Sequence, residues 1–135
     1  MEKHAKGSFE VKMTPKAWSE TSEEHGLGRF LLDKQYHGDL EAAGDGQMLS
    51  AGSGGPGSSG VYVALERIAG SLDNRKGSFT VYHLGIMNRG VPQLTLGVVP
   101  DSGTGELTGL SGTMTIQIAD GKHSYDLAYT LATIE

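Results

Sequence analysis

The sequence predicts an all-β fold, a closed or nearly closed eight-stranded antiparallel barrel formed by a single domain over residues 1–135. About eight segments alternate in polarity, turn signals separate them at short spacing, and no convincing long helix occurs. The chain also contains 21 glycines, about twice the ~7% average usage, which suits tight turns and bent strands. A two-sheet sandwich fits the same pattern. We favour the barrel because the central strands are apolar on both faces, so that one face lines a lumen and the other is covered by a neighbouring subunit.

The last hairpin has a register that can be derived from its sequence. Asp120 and Gly121 form a two-residue turn signal, because both central residues of a type I′ turn need positive φ. This turn places Ala119 opposite Lys122 and, at the far end, Leu110 opposite Leu131. One face is then apolar and aromatic and the other is small and polar, and a slip of one residue would mix them.

Residues 4–13 alternate in polarity and predict the first strand. Thr14 and Pro15 follow as a helix cap and a proline at the first helical position, which predicts at most a short turn. We therefore interpret residues 14–26 as an acidic loop.

The next two predicted strands span residues 30–40 and 41–51. Residues 52–60 are a Gly- and Ser-rich stretch that predicts a flexible loop at a barrel mouth. This stretch lacks the Gly-Lys-Ser/Thr ending of a phosphate-binding loop, so we do not expect nucleotide binding there.

Three further strands are predicted over residues 61–72, 78–87 and 93–99. The first two are apolar on both faces, as expected of strands in the middle of a covered sheet. Turn signals at residues 73–77 and 88–90 separate them.

Ionisable side chains on faces that should be dry are the strongest functional signal. Lys34 and Glu66 are the clearest cases, His83 is the next, and a buried lone charge costs several kcal/mol unless it is paired. Lys34 and Glu66 lie on different strands and could pair across the lumen. Our candidate catalytic residues are Glu66, Glu10 and Lys34, with a carboxylate as base and Lys34 or His83 stabilising a developing enolate or alkoxide. The alternative is a structural ion pair.

Aromatic and histidine side chains on the strand faces are the candidate ligand contacts. A lumen needs an apolar lining with a few polar groups. The candidates are Tyr36, Tyr62, Phe79, His83, Tyr125 and Tyr129. No His-x-His or His-Glu-x-x-His spacing occurs, so no metal site is predicted, and we expect no cofactor.

The amino-acid composition limits the kinds of partner, chemistry and location that we expect for this protein. The net charge of −5 without a basic cluster argues against nucleic acid. The chain has no cysteine, which excludes disulfides and thiolate catalysis. No apolar run approaches the roughly 18 residues of a membrane span. We expect no signal peptide, a cytoplasmic location and a homo-oligomer built on the apolar outer faces.

Five stretches carry a family resemblance: residues 33–40, 62–67, 76–79, 99–116 and 120–126. Together they resemble the bacterial domain of unknown function 3224 family, from about Phe9 to the C-terminus. That family is similar in fold to the plant allene oxide cyclases, which are small eight-stranded antiparallel barrels. The resemblance to these cyclases implies that Glu10 lies in the barrel as the equivalent of their first-strand Glu, while Lys12 stands where they have Asn.

Three functions compete at this stage. The first is a barrel that binds a small apolar or aromatic molecule in its lumen, beside the Gly-rich loop. The second is an isomerase or cyclase with a lumen carboxylate as acid or base. The third is a structural or interaction protein whose lumen is filled by its own side chains.

Overall fold

A computed structural model describes residues 2–18, 26–52 and 57–132 and confirms a closed barrel of eight antiparallel strands. Each strand pairs with the next along the chain, and the last pairs with the first. Among the described residues, no helix is long and apolar enough to cross a membrane. The strands are β1 Lys3–Lys16, β2 Leu27–Gly38, β3 Leu40–Gly52, β4 Gly60–Leu72, β5 Arg75–Asn88, β6 Val91–Val98, β7 Leu110–Ala119 and β8 Lys122–Leu131.

The β7–β8 hairpin has the predicted register at every position, from Ala119 opposite Lys122 to Leu110 opposite Leu131. Asp120 and Gly121 have φ values of 52° and 74°, as a type I′ turn requires. The prediction is confirmed because the turn and the alternation specify the same pairing.

The predicted loop over residues 14–26 is wrong at its start, because β1 continues to Lys16. Thr14 pairs with Leu31, and Pro15 with Phe30. β8 pairs with β1 only as far as Phe9. Beyond Phe9 no strand of the described residues pairs with this edge of β1, and a proline without an N–H is tolerated on such an edge. Residues 19–25 of the predicted loop lie outside the described residues.

The predicted loop over residues 52–60 falls between β3 and β4, which end at Gly52 and begin at Gly60. Residues 53–56 lie outside the described part of the chain, so its flexibility stays a prediction. The other strands begin or end up to three residues from the predicted bounds.

One end of the barrel, here called the closed end, is formed by the turns at residues 38–40 and 72–75 and by segment 99–109. The 3₁₀ helix Gly105–Leu107 lies in that segment and buries Leu107. The hydroxyl of Tyr125 donates to the carbonyl of His37 at 3.0 Å and accepts the N–H of Leu40 at 2.9 Å. The hydroxyl of Tyr129 donates to the carboxylate of Asp73. Buried apolar side chains fill this half of the barrel.

The opposite end, here called the mouth, carries the 52–60 connection and the turns at residues 88–91 and 120–121. Inward-facing side chains become exposed toward it. On β1, Phe9 is buried but Met13 is 46% exposed. On β5, exposure rises from 5% at His83 to 39% at Met87, and on β7 Ile118 reaches 68%. The barrel is therefore packed at one end and open at the other.

The seam between β6 and β7 differs from the rest of the sheet. It contains one paired position, Gly97 with Thr113, although both strands lie wholly within the described residues. The shortest of the other seams has seven pairs. The missing pairs lie toward the mouth, where β6 begins at Val91 and β7 ends at Ala119.

Changing Asp73 to Asn tests the contact that fastens the closed end. Burial, and then the hydrogen bond to Asp73, raise the pKa of Tyr129 from 10 to about 12. The raised pKa contributes stability that is complete below pH 10 and is lost as the pH rises toward 12. Asn keeps an acceptor and tolerates the φ of 48° at this position. We expect Asp73→Asn to lower the pKa of Tyr129 toward 10, as followed by tyrosinate absorbance with Tyr129→Phe as the reference.

Asp101→Asn is the matched control, because Asp101 also has a positive φ and is not among the groups that shift the Tyr129 pKa. It should leave the alkaline titration unchanged. A Tyr129 titration that is the same in Asp73→Asn and in the unmodified protein would contradict this account of the closed end.

Candidate functional site

Four side chains meet inside the barrel around one carboxylate. Oε1 of Glu66 accepts hydrogen bonds from Nζ of Lys34 and Nε2 of His83, both at 3.0 Å. Oε2 accepts the hydroxyl of Tyr36 at 2.6 Å. All four residues are buried. We call Glu66, Lys34, Tyr36 and His83 the buried quartet.

Three strands contribute to the buried quartet, and a fourth makes room for it. Lys34 and Tyr36 lie on β2, Glu66 on β4 and His83 on β5. β3 separates β2 from β4, and Gly44 lies on it opposite both Lys34 and Ile68. A Cβ at Gly44 would collide with Oε2 of Glu66. The absence of a side chain there lets the Glu66 carboxylate lie across β3 and reach β2.

The charges in the buried quartet balance. Burial alone would raise the pKa of Glu66. The hydrogen bond from His83, the charge of Lys34 and the hydrogen bond from Tyr36 outweigh burial, and the pKa is lowered. Glu66 is therefore an ionised acceptor paired with the Lys34 ammonium. The ammonium also lies 5.1 Å from the ring centroid of Phe9 and 5.9 Å from that of Tyr36, distances at which cations are attracted to aromatic faces.

The expected contact between Lys34 and Glu66 is present, and His83 joins it. Glu10 is not part of this cluster. Its side chain is 71% exposed and contacts His37 at 2.8 Å. The expectation that Glu10 lies in the barrel is wrong, because Phe9 faces inward and the next residue of a strand faces the opposite way.

The predicted aromatic contacts divide into three groups. Tyr36 belongs to the buried quartet. Phe79, Tyr125 and Tyr129 are buried in the packed half and are not part of the cavity lining described next. Tyr62 lies at the mouth.

The mouth contains a cavity of about 580 Å³. One row of its wall crosses three strands, where Tyr62 pairs with Gly85 and Gly85 with Leu94. A Cβ at Gly85 would collide with the ring of Tyr62, so the ring lies over this glycine. The lining residues are Ser50, Ala51, Gly52, Ser58, Ser59, Gly60, Val61, Tyr62, Gly85, Ile86, Met87, Pro92, Gln93 and Leu94.

Sequence reasoning missed Gly44, Gly85, Met87 and Leu94. The two glycines carried a usable signal, since each interrupts the inward-facing positions of a strand and so marks a close approach by another group. Met87 and Leu94 carried none, because alternation separates inside from outside but does not report depth along the barrel.

The same geometry offers no metal site among the described residues. Within the described ranges, no three His, Asp or Glu side chains are placed to hold a metal ion together. The donors around Glu66 include a lysine and a tyrosine hydroxyl, so the buried quartet is organised by hydrogen bonds.

Comparisons with known proteins support the fold but name no activity. The family model described as "Protein of unknown function (DUF3224)" matches residues 5–129. A crystal structure of a DUF3224-family protein with unknown function from Shewanella oneidensis MR-1 is 44% identical. The alignment covers 99% of this chain and 100% of that one, with a TM-score of 0.90. None of the curated proteins matches.

Removing the Glu66 charge should be strongly destabilising. Glu66→Gln keeps the shape of the side chain but leaves the Lys34 ammonium buried and unpaired, so we expect a loss of about 3–5 kcal/mol in the free energy of unfolding. Glu10→Gln is the matched control, because Glu10 also contacts a histidine but is exposed. It should change the value by less than about 0.5 kcal/mol. Urea denaturation measures both.

Two further measurements distinguish the loss of the charge pair between Lys34 and Glu66 from a change in side-chain packing. Lys34→Met combined with Glu66→Gln should recover part of the loss, because it removes the unpaired charge. The lowered pKa of Glu66 contributes stability above pH 4.5 that is lost as the pH falls through the folded-state value. Glu66→Gln should lack that part of the acid dependence. Equal effects of Glu66→Gln and Glu10→Gln would contradict the account.

Proposed function

Because this chain belongs to the DUF3224 family, whose description names no function, we propose a function from its own geometry: the barrel binds a small apolar or aromatic molecule in its mouth. The observation that carries the proposal is the exposure of inward-facing apolar side chains at that end. Met13, Met87, Leu94 and Ile118 face inward on four strands and are 39–68% exposed.

The size and chemistry of the cavity support the proposal. Small-molecule pockets commonly enclose about 300–1,000 Å³ and combine apolar walls with a few polar groups, and the mouth cavity encloses about 580 Å³. Tyr62, Met87 and Leu94 supply its apolar wall. Burial of a ligand against them would release about 25 cal/mol for each Å² of apolar surface removed from water.

Ser50, Ser58 and Ser59 line the cavity beside the connection between β3 and β4. Ser59 accepts the backbone N–H of Arg89 at 2.9 Å, and Gly90 donates to the carbonyl of Ser58 at 3.0 Å. The described end of this connection is thus bound to the turn between β5 and β6, and a ligand would enter beside it.

A neutral fluorescent dye, N-phenyl-1-naphthylamine, can test the proposal, because its emission rises in an apolar site. We expect it to bind the unmodified protein. Leu94→Asp places a charge in the mouth and should weaken binding about tenfold or more. Leu65→Asp is the matched control, since Leu65 is 61% exposed and lies on the outer face of β4. It should leave the affinity within about twofold, by fluorescence titration.

Two results would contradict the proposal. The first is no dye binding to the unmodified protein. The second is the reverse pattern, in which Leu65→Asp abolishes binding and Leu94→Asp does not, because the dye would then be bound on the outer face of the barrel. Thermal unfolding of both variants shows whether each remains folded during the titration.

A proton-transfer enzyme is the second candidate, and the contact between Glu66 and His83 is the observation that favours it. Glu66 itself is a poor base here, because both of its oxygens accept hydrogen bonds and its pKa is lowered. The more suitable base is His83, oriented by the carboxylate. A substrate would have to reach that imidazole from the mouth.

Self-association is a further proposal, motivated by the outer face of β3, β4 and β5. Val63 pairs with Leu49 on one side and Leu84 on the other, and all three are more than a third exposed. We infer that a second copy of the chain covers this face. Leu65→Asp, on the same face, should reduce the mass measured by sedimentation, whereas Leu94→Asp should not. A monomeric unmodified protein would overturn this proposal.

A further inference from the structure

His83 has a second ring nitrogen that the buried quartet does not use. Nε2 contacts Glu66 at 3.0 Å. Among the described residues, no group bonds Nδ1, yet no buried side-chain nitrogen or oxygen lacks a partner. Nδ1 is therefore an unpartnered atom that reaches accessible space, although the residue as a whole is only 5% exposed.

The chemistry of Nδ1 follows from its neighbours. A carboxylate can only accept, so Nε2 of His83 must carry the proton that it shares with Glu66. Lys34 already balances the charge of Glu66, and a second cation would leave the site with a net buried charge. His83 is therefore the neutral tautomer with its proton on Nε2. Nδ1 is left with a free lone pair and is a hydrogen-bond acceptor.

The mouth cavity begins one row from His83, which is not itself among the residues that line it. His83 lies in the row of Ala64 and Leu96, and the adjacent row toward the mouth is Tyr62, Gly85 and Leu94. Gly85 has no side chain, and the ring of Tyr62 lies over it between the two rows. This ring is 6.3 Å from that of His83, at 57° to it, and is the aromatic group between His83 and the cavity.

We propose that the mouth selects apolar or aromatic molecules that carry a hydroxyl group, and that this hydroxyl donates to Nδ1 of His83. This inference rests on the proposed function and adds the polar part of the ligand. Phenols and alcohols on an apolar body are the chemical class it names.

Two properties of the site favour a neutral donor. An acceptor such as an ether or carbonyl oxygen would leave Nδ1 unpaired in a dry site, which costs more than the lost bond alone. A charged ammonium would have no counter-ion, because the charge of Glu66 is already balanced by Lys34. A hydroxyl donates a hydrogen bond without bringing a charge.

A pair of matched ligands tests the inference on the unmodified protein. 2-Naphthol and 2-methoxynaphthalene share one ring system and one oxygen, but only the naphthol can donate. We expect 2-naphthol to displace N-phenyl-1-naphthylamine with about tenfold higher affinity, the value of a typical hydrogen bond. The ether is the more apolar molecule, so hydrophobicity alone predicts the opposite order.

The outcomes separate this inference from the proposed function. Equal displacement by the two ligands, or stronger displacement by the ether, overturns the inference and leaves the mouth as an apolar site. If the dye binds in a manner sensitive to Leu94→Asp and neither naphthalene displaces it, the inference also fails. Absence of dye binding overturns the proposed function itself.

The variant His83→Gln tests whether His83 causes the preference for 2-naphthol over the ether. The Gln amide N–H can replace Nε2 as a donor to Glu66, but no acceptor remains at the place of Nδ1. The variant should keep dye binding and lose the preference for 2-naphthol. A preference that persists in folded His83→Gln overturns the assignment to Nδ1.

A spectroscopic measurement needs no variant. In protein labelled with ¹⁵N-histidine, Nδ1 of His83 should resonate as an unprotonated nitrogen and should move on addition of 2-naphthol but not of the ether. A resonance typical of protonated Nδ1, or one that ignores both ligands, overturns the proposal.

Discussion

The burial of one carboxylate charge, that of Glu66, governs the arrangement of the strands around it. A lone charge inside a protein is costly, so the group is retained only where donors and a counter-ion surround it. Those donors come from two other strands, β2 and β5. β3, which lies between β2 and β4, must also lack a side chain at Gly44. A shift of one residue in β2, β4 or β5 would turn a quartet member to the outer face and leave the charge unpaired.

The buried quartet also divides the barrel. On one side of it lie the packed apolar core and the tyrosines that fasten the closed end. On the other side the inward-facing residues are exposed and surround the mouth cavity. The buried quartet therefore lies between the packed core and the mouth, and none of its four members is among the residues that line the cavity.

Features of the fold and the site could be predicted from the sequence where neighbouring residues determine them, and could not where distant parts of the chain do. The β7–β8 register followed from a two-residue turn and from alternation, both of which are local. The partnership of Lys34 with Glu66 followed from charge on faces expected to be dry. The prediction that β1 ends before Pro15 was wrong, because the helix-start signal of Pro15 is local. Its place in β1 depends instead on where β8 stops pairing. The Gly- and Ser-rich stretch 52–60 indicated the end at which a ligand would enter, whereas the closing of the other end depends on the path of segment 99–109, which alternation does not report.

The barrel is held together least strongly at the seam between β6 and β7, because only one position is paired there. Interstrand amides at that seam lack the ladder partners that protect backbone hydrogens from exchange with solvent. Strands β1 to β6 remain joined by long ladders, and the β7–β8 hairpin remains joined to them through β1. The least costly partial unfolding therefore separates this seam and swings the hairpin outward about β1. Early in folding, the converse holds: the local hairpins can form first, and the ring closes last at β6 and β7.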